Sequence, residues 1–157
     1  MQPCINLNVN ANIDPMEKFV LLLSILFFTT FHLEAQDVTG KWKTIDDETG
    51  VAKSIVEIYK KDGKVYGKIV DLIDPKKENA KCTECPGDDK NKPLTGLVII
   101  RGLEKDGDEY NDGKILDPIS GKLYKCYIAL ESPDLLKVRG YVGFALLGRT
   151  QYWSRFD

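Results

Sequence analysis

From Lys41 onward the chain alternates short apolar runs with turn residues. The clearest case is the pair of runs at 54–61 and 64–73, separated by Asp62-Gly63. Asp-Gly between two alternating runs favours a two-residue hairpin, because a type I′ turn needs positive φ at both central positions. That loop sets Glu57 opposite Lys68 and Tyr59 opposite Tyr66 on one face. Val56 then faces Ile69 and Ile58 faces Gly67 on the other. One face pairs opposite charges and the other is apolar, so the register is self-consistent and the Val56, Ile58, Ile69 face points inward.

The pattern recurs at 41–45, 97–105, 114–117, 122–131, 135–142 and 148–156. Asp106-Gly107, Pro118-Ile119-Ser120-Gly121 and Ser132-Pro133-Asp134 supply turns. Asn111-Asp112-Gly113 is a second turn signal close to Asp106-Gly107 and leaves that register open. In 135–142, Leu136, Val138, Gly140 and Val142 share one side, while Lys137, Arg139 and Tyr141 share the other. No window repeats with helical period. The prediction is an all-β domain: a single small antiparallel up-and-down barrel of about eight strands, which removes exposed edges. Eight strands enclose side chains or one small ligand.

The region before this pattern differs in kind. Residues 19–33 are almost wholly apolar, follow Lys18 and end near Leu33-Glu34-Ala35. The run is shorter than the ~20 residues of a membrane span and has the layout of a secretory signal peptide. Met16 is the natural start of that signal, and Cys4 precedes the apolar run, so it is not a lipoprotein anchor. The expected organisation is an N-terminal lead and signal at 1–36 and a barrel at 37–157, exported to the periplasm or beyond the cell, with no integral membrane span in the mature protein.

Charge and histidine narrow the function. Removing Lys18 from 22 basic residues and Asp14, Glu17 and Glu34 from 24 acidic ones leaves 21 of each. A balanced chain lacks the basic surplus that nucleic acid demands. The one histidine, His32, lies in the leader. The mature chain therefore excludes Ser-His-Asp or Cys-His catalysis and any zinc site built on His.

Gly40-x-Trp42 in the first strand and Trp153-x-Arg155 in the last resemble the lipocalin and fatty-acid-binding (calycin) pattern. The resemblance implies that Trp42 plugs one end of the barrel and Arg155 lies across it, a large apolar area under a planar guanidinium. A closer resemblance covers about residues 38–156. The stretches GKWKTIDDETG, SIVEIYKKDGKVYGKIV, CTEC, KPLTGLVIIRGLEKDGDEYNDGKILDPISGKLYKC, LKVRGYVG and LLGRTQYWSR are similar to the exported bacterial family of domain of unknown function 2147. That family implies an exported lipocalin-like barrel and brings no activity with it.

Cys82-Thr83-Glu84-Cys85-Pro86-Gly87 lies in a polar loop, and Cys126 lies in a strand. In an oxidising compartment two of the three pair, Cys82 with Cys85 or Cys126 with one of them, to stiffen the loop. A zinc knuckle needs four ligands, so no metal site is expected. Gly121-Lys122 lacks the rest of a phosphate-binding loop, and Asp106 to Gly113 lacks the oxygen ligands of a calcium loop. Arg101 interrupts an apolar strand. By analogy with fatty-acid-binding barrels, Arg101 with Tyr124 would hold a ligand carboxylate. The plainer reading points Arg101 outward or pairs it with Asp117, and Arg139 outward with Lys137, since most arginines are exposed. The apolar connection at 143–148 reads first as a buried plug, then as a portal lip or membrane-touching tip.

The expected function is non-enzymatic: an exported barrel whose cavity takes a small apolar or amphipathic ligand, with no cofactor. Trp42, Val56, Ile58, Ile69, Ile128, Leu130 and Val138 would line or floor it. The alternative is an envelope structural or interaction protein with a filled core. An enzyme has no motif behind it.

Overall fold

The structure, a computed structural model, describes residues 37–46 and 49–156. The expected leader at 1–36, with Met16 and His32, and the acidic residues Asp47 and Glu48 lie outside the described residues. Eight strands run in order: β1 Gly40–Ile45, β2 Ala52–Lys61, β3 Lys64–Leu72, β4 Val98–Asp106, β5 Glu109–Leu116, β6 Leu123–Ser132, β7 Leu135–Tyr141 and β8 Gly148–Arg155. Each pairs antiparallel with the next, and β8 returns to β1, so the sheet closes on itself. Among the described residues no helix is long and apolar enough to cross a membrane.

From Val56 to Lys61 the β2–β3 hairpin has the register that its sequence dictates; beyond Val56 an irregularity shifts it by one, so that Ile55 pairs with Asp71 and Ser54 with Leu72. Val56 faces Ile69, Glu57 faces Lys68, Ile58 faces Gly67 and Tyr59 faces Tyr66. Asp62 and Gly63 both have positive φ, 51° and 76°, as a type I′ turn requires. Lys68 reaches Glu57 at 2.7 Å, and the two tyrosine rings stack at 5.9 Å. Gly67 faces inward, where a Cβ would lie 3.2 Å from Ile100. The missing side chain lets β3 and β4 draw together over a filled core.

β5 starts earlier than the run at 114–117 suggests. The turn is Gly107–Asp108, with Asp106 paired to Glu109. Asn111-Asp112-Gly113 is not a turn but an irregularity inside β5, with Asp112 at φ 58°. A bulge inserts an extra residue and bends its strand. Here it brings Gly113 under β4, where a Cβ would lie 2.6 Å from the Arg101 carbonyl oxygen.

Candidate functional site

The barrel has two unlike ends. At the first, Trp42, Val56, Ile58, Ile100, Leu103, Ile128 and Leu136 are fully buried and fill the interior. The Arg155 guanidinium lies over the Trp42 indole, 4.2 Å from its centroid. Its nitrogens donate to the carbonyls of Pro133 (2.8 Å), Thr39 (3.2 Å) and Asp37 (3.2 Å), while Trp42 Nε1 donates to Val38 O at 2.8 Å. Gly40 explains the motif: its φ is 117°, and a Cβ there would lie 3.1 Å from Arg155 Nη1.

At the other end the interior opens into a cavity of about 1100 Å³. Its walls include Ile69, Leu72, Ile99, Ile115, Val138 and Trp153, with Thr44, Ser54, Tyr124 and Gln151 among its polar groups and charged residues such as Asp46, Lys53, Asp117 and Arg149 also in the lining. Thr44 and Ser54 hydrogen-bond each other at 2.9 Å across β1 and β2. Trp153 Nε1 donates to Gln151 Oε1 at 3.2 Å. The mouth is edged by the loops after β1, β3, β5 and β7.

Polar contacts brace that edge. Asp46 accepts from the Thr49 amide (2.8 Å) and hydroxyl (2.7 Å) and pairs with Lys53. The Lys53 and Thr49 hydrogen bonds hold its carboxyl well below the usual carboxylate range. The long β3–β4 excursion is closed by the Cys82–Cys85 disulfide, the first of the pairings that the sequence left open. Both cysteines are buried, and Cys82 Sγ lies 3.2 Å from the Pro118 carbonyl oxygen on the β5–β6 turn. Lys81 bridges Pro93, and Leu94 N donates to Ala80 O at 2.9 Å, so the excursion folds as a small tied flap.

Of the residues proposed from sequence to line or floor the cavity, Ile69 and Val138 line it, as does Tyr124 of the expected clamp. Trp42, Val56, Ile58 and Ile128 lie in the filled end, and Leu130 packs against that core. The carboxylate clamp of Arg101 with Tyr124 is not formed. Arg101 shares its row with Lys114 and Lys125, whereas Tyr124 shares the adjacent row with Ile115 and Ile100. Neighbouring rows point to opposite faces of a sheet, so the two side chains lie on opposite sides of the wall. The outer partner of Arg101 is also not Asp117 but Asp89, at 2.6 Å, and this contact holds the Asp89 carboxyl below its ordinary value. Asp117 instead accepts from the Ile119 amide and the Ser120 hydroxyl within its own turn. Reasoning from sequence missed Trp153, Ile99, Ile115 and Leu72 as wall residues. For Trp153 the signal was present: stepping back by twos from Arg155 gives Trp153, Gln151 and Arg149 on one face.

The connection at 143–148, expected first as a buried plug, stands in solvent, with Phe144 80% and Leu146 90% exposed. The reason is local hydrogen bonding. Val142 N donates to Leu147 O and Leu147 N to Phe144 O, both at 3.0 Å. Arg139, on the outer face, takes the carbonyls of Ala145 (2.8 Å) and Leu146 (3.3 Å) and the Thr150 hydroxyl (2.6 Å). These bonds fix the turn in a conformation that projects from the barrel end.

Cys126, inward on β6, is the free thiol among the described residues. Burial pushes its pKa from an ordinary 9.0 up to about 12. The thiolate is the reactive form, so iodoacetamide at pH 8 should leave Cys126 unlabelled in the folded protein and label it fully in denaturant. Prompt labelling of the folded protein would show instead that the wall opens at β5–β6.

Residues 40–155 match the family described as "Uncharacterized protein conserved in bacteria (DUF2147)". Among solved structures the chain is similar to protein HP1028 from the human pathogen Helicobacter pylori, described as belonging to the lipocalin family. The two share 23% identity at a TM-score of 0.68, over 77% of this chain and 84% of that one. At that identity the likeness shows the fold alone. No curated protein matches the chain.

Proposed function

The chain belongs to the DUF2147 family and closes into a lipocalin-like barrel, and from that premise we propose that it is an exported, non-enzymatic container for a small apolar or amphipathic molecule. The observation that carries this reading is the cavity of about 1100 Å³. Ligand pockets begin at about 300 Å³, so the space is more than a packing defect. Its apolar walls suit a hydrocarbon portion, which gains about 25 cal/mol per Å² buried before the costs of association. Thr44, Ser54, Tyr124 and Gln151 offer hydrogen bonds to a polar end. The filled half of the barrel fits the alternative, an envelope interaction protein, but the open half gives that alternative no use for its cavity.

Native mass spectrometry of protein purified from its own host should show a co-purified small molecule, and fractionation of those cells should find the protein outside the cytoplasm. With anilinonaphthalene sulfonate as probe, Leu72→Trp should fill the half-buried upper wall and weaken binding by about tenfold. Tyr66→Trp, on the outer face of β3, should leave it unchanged. A bare protein whose probe affinity ignores Leu72→Trp would abandon the cavity in favour of the filled-core alternative.

A further inference from the structure

Most of the large exposed apolar side chains of this barrel gather at one end, with Leu135, Tyr152 and Phe156 the less exposed exceptions elsewhere. Val51, Ile73, Ile119, Leu123, Val142, Phe144, Leu146 and Leu147 all lie on loops or strand ends at the open mouth. The β7–β8 connection reaches furthest in exposure, and from Val142 to Gly148 it carries no charge. Val142 and Leu147 belong both to this exposed tip and to the cavity wall, so one apolar surface runs from the tip into the cavity. The hairpin that carries the tip, from Leu135 to Phe156, has no acidic residue; of its cations, Lys137 pairs with Glu131 and Arg155 covers the closed end. Arg139 stands at the foot of the tip, and its bonding partners are uncharged.

We propose that the open mouth docks on a phospholipid bilayer, with Phe144 and Leu146 entering the headgroup–acyl boundary while Arg139 faces anionic headgroups. Three features favour lipid over a protein partner. The tip is a narrow convex turn, whereas a stable protein interface takes about 800 Å² from each partner. An apolar insert with a cation behind it matches the two attractions of a membrane surface, acyl burial and anionic charge. The tip is also braced by Arg139, so its apolar side chains are presented before any partner arrives. Docked in this way, an amphipathic molecule passes between bilayer and cavity along the Val142–Leu147 edge without its hydrocarbon crossing water. This deepens the container reading and rests on it.

The test reads the tip locally, so that the apolar run at 19–33 does not enter the result. In the full chain, Phe144→Trp reports from the tip and Leu135→Trp from the exposed opposite end. Vesicles of phosphatidylethanolamine and phosphatidylglycerol (3:1) with brominated acyl chains should quench the indole at position 144 and not the one at position 135. Adding Leu146→Asp to Phe144→Trp should weaken the vesicle affinity read from this quenching by roughly tenfold or more. Vesicles of phosphatidylcholine alone should bind more weakly, because they remove the headgroup charge. Equal quenching at both positions, or none at 144, overturns the docking. So does tip-dependent self-association of the wild type in lipid-free solution, which would assign the patch to a protein partner. Probe binding in lipid-free buffer separates the two ideas. Phe144→Asp/Leu146→Asp should keep it, whereas its loss in the wild type, with vesicle quenching intact, sinks only the container.

Discussion

Trp42→Ala should lower the stability of the barrel by about 3–5 kcal/mol, the range for truncating a fully buried aromatic. The indole is wholly inaccessible and fills the closed end among Val56, Ile58 and their neighbours. Its removal leaves a cavity and also takes away the surface on which Arg155 rests. A single domain of this size has about 5–15 kcal/mol in total, so the variant should sit near the edge of folding. Urea unfolding followed by far-ultraviolet circular dichroism would measure the shift in midpoint. Arg155→Met separates the contributions, because it keeps apolar cover over the indole and removes the three donors to Asp37, Thr39 and Pro133. The double variant should then lose less than the sum of the single ones, since the partners share a contact. Strict additivity, or a loss under about 1 kcal/mol for Trp42→Ala, would mean that the indole is not what seals this end.

Gly121→Ala should be the next most damaging exchange. Gly121 has φ +68°, and a Cβ there would lie 1.8 Å from the Glu84 carbonyl oxygen and 2.4 Å from its carbon. Both obstacles are backbone, inside the disulfide-bonded turn of Cys82–Cys85, so no side chain can swing aside. Backbone displacement plus a left-handed conformation for a residue with a Cβ costs of order 2–4 kcal/mol. The flap rather than the wall should yield. Amide exchange should quicken across 80–94, where the backbone bonds of Ala80, Cys82 and Asn91 hold the flap, while Ile58 and Ile128 stay protected. Exchange that quickens equally everywhere would show that flap and barrel open as one unit.

The two sites differ in how far they could be read from sequence. The β2–β3 hairpin was legible from its turn out to the Val56–Ile69 pair, because Asp62-Gly63 admits one turn geometry and a one-residue slip there would bury Glu57 and Lys68; the shift beyond Val56 was not. The closed end was legible through Gly40, Trp42 and Arg155, residue types with few other uses at those positions. The division of the interior was not. Alternation says that Trp42 and Thr44 both point inward, but not that the filled half ends between them. That depends on the summed volume of side chains from eight strands, which no single strand encodes. Arg101 was opaque for a related reason: its partner Asp89 sits on an aperiodic excursion whose path is set by a disulfide and a glycine contact. The tip at 143–148 misled because apolar composition was read as burial, whereas Arg139 satisfies the loop's carbonyls from outside.

The seam between β1 and β8 is short among the described residues, pairing Trp42 with Arg155 and Lys43 with Ser154, with Phe156 N donating to Lys41 O beyond them. Its consequence is one of timing. Arg155 must find the Asp37 carbonyl across 118 positions of chain, while the β2–β3 turn joins partners across two residues, Asp62 and Gly63. Entropy therefore orders assembly, with local hairpins early and the seam late. Until it forms, the first and last strands offer raw edges to any neighbouring molecule, a template for sticking in a crowded compartment. The stacked arginine thus acts as a latch as well as a lid, and the moment it drops into place ends the chain's most hazardous interval.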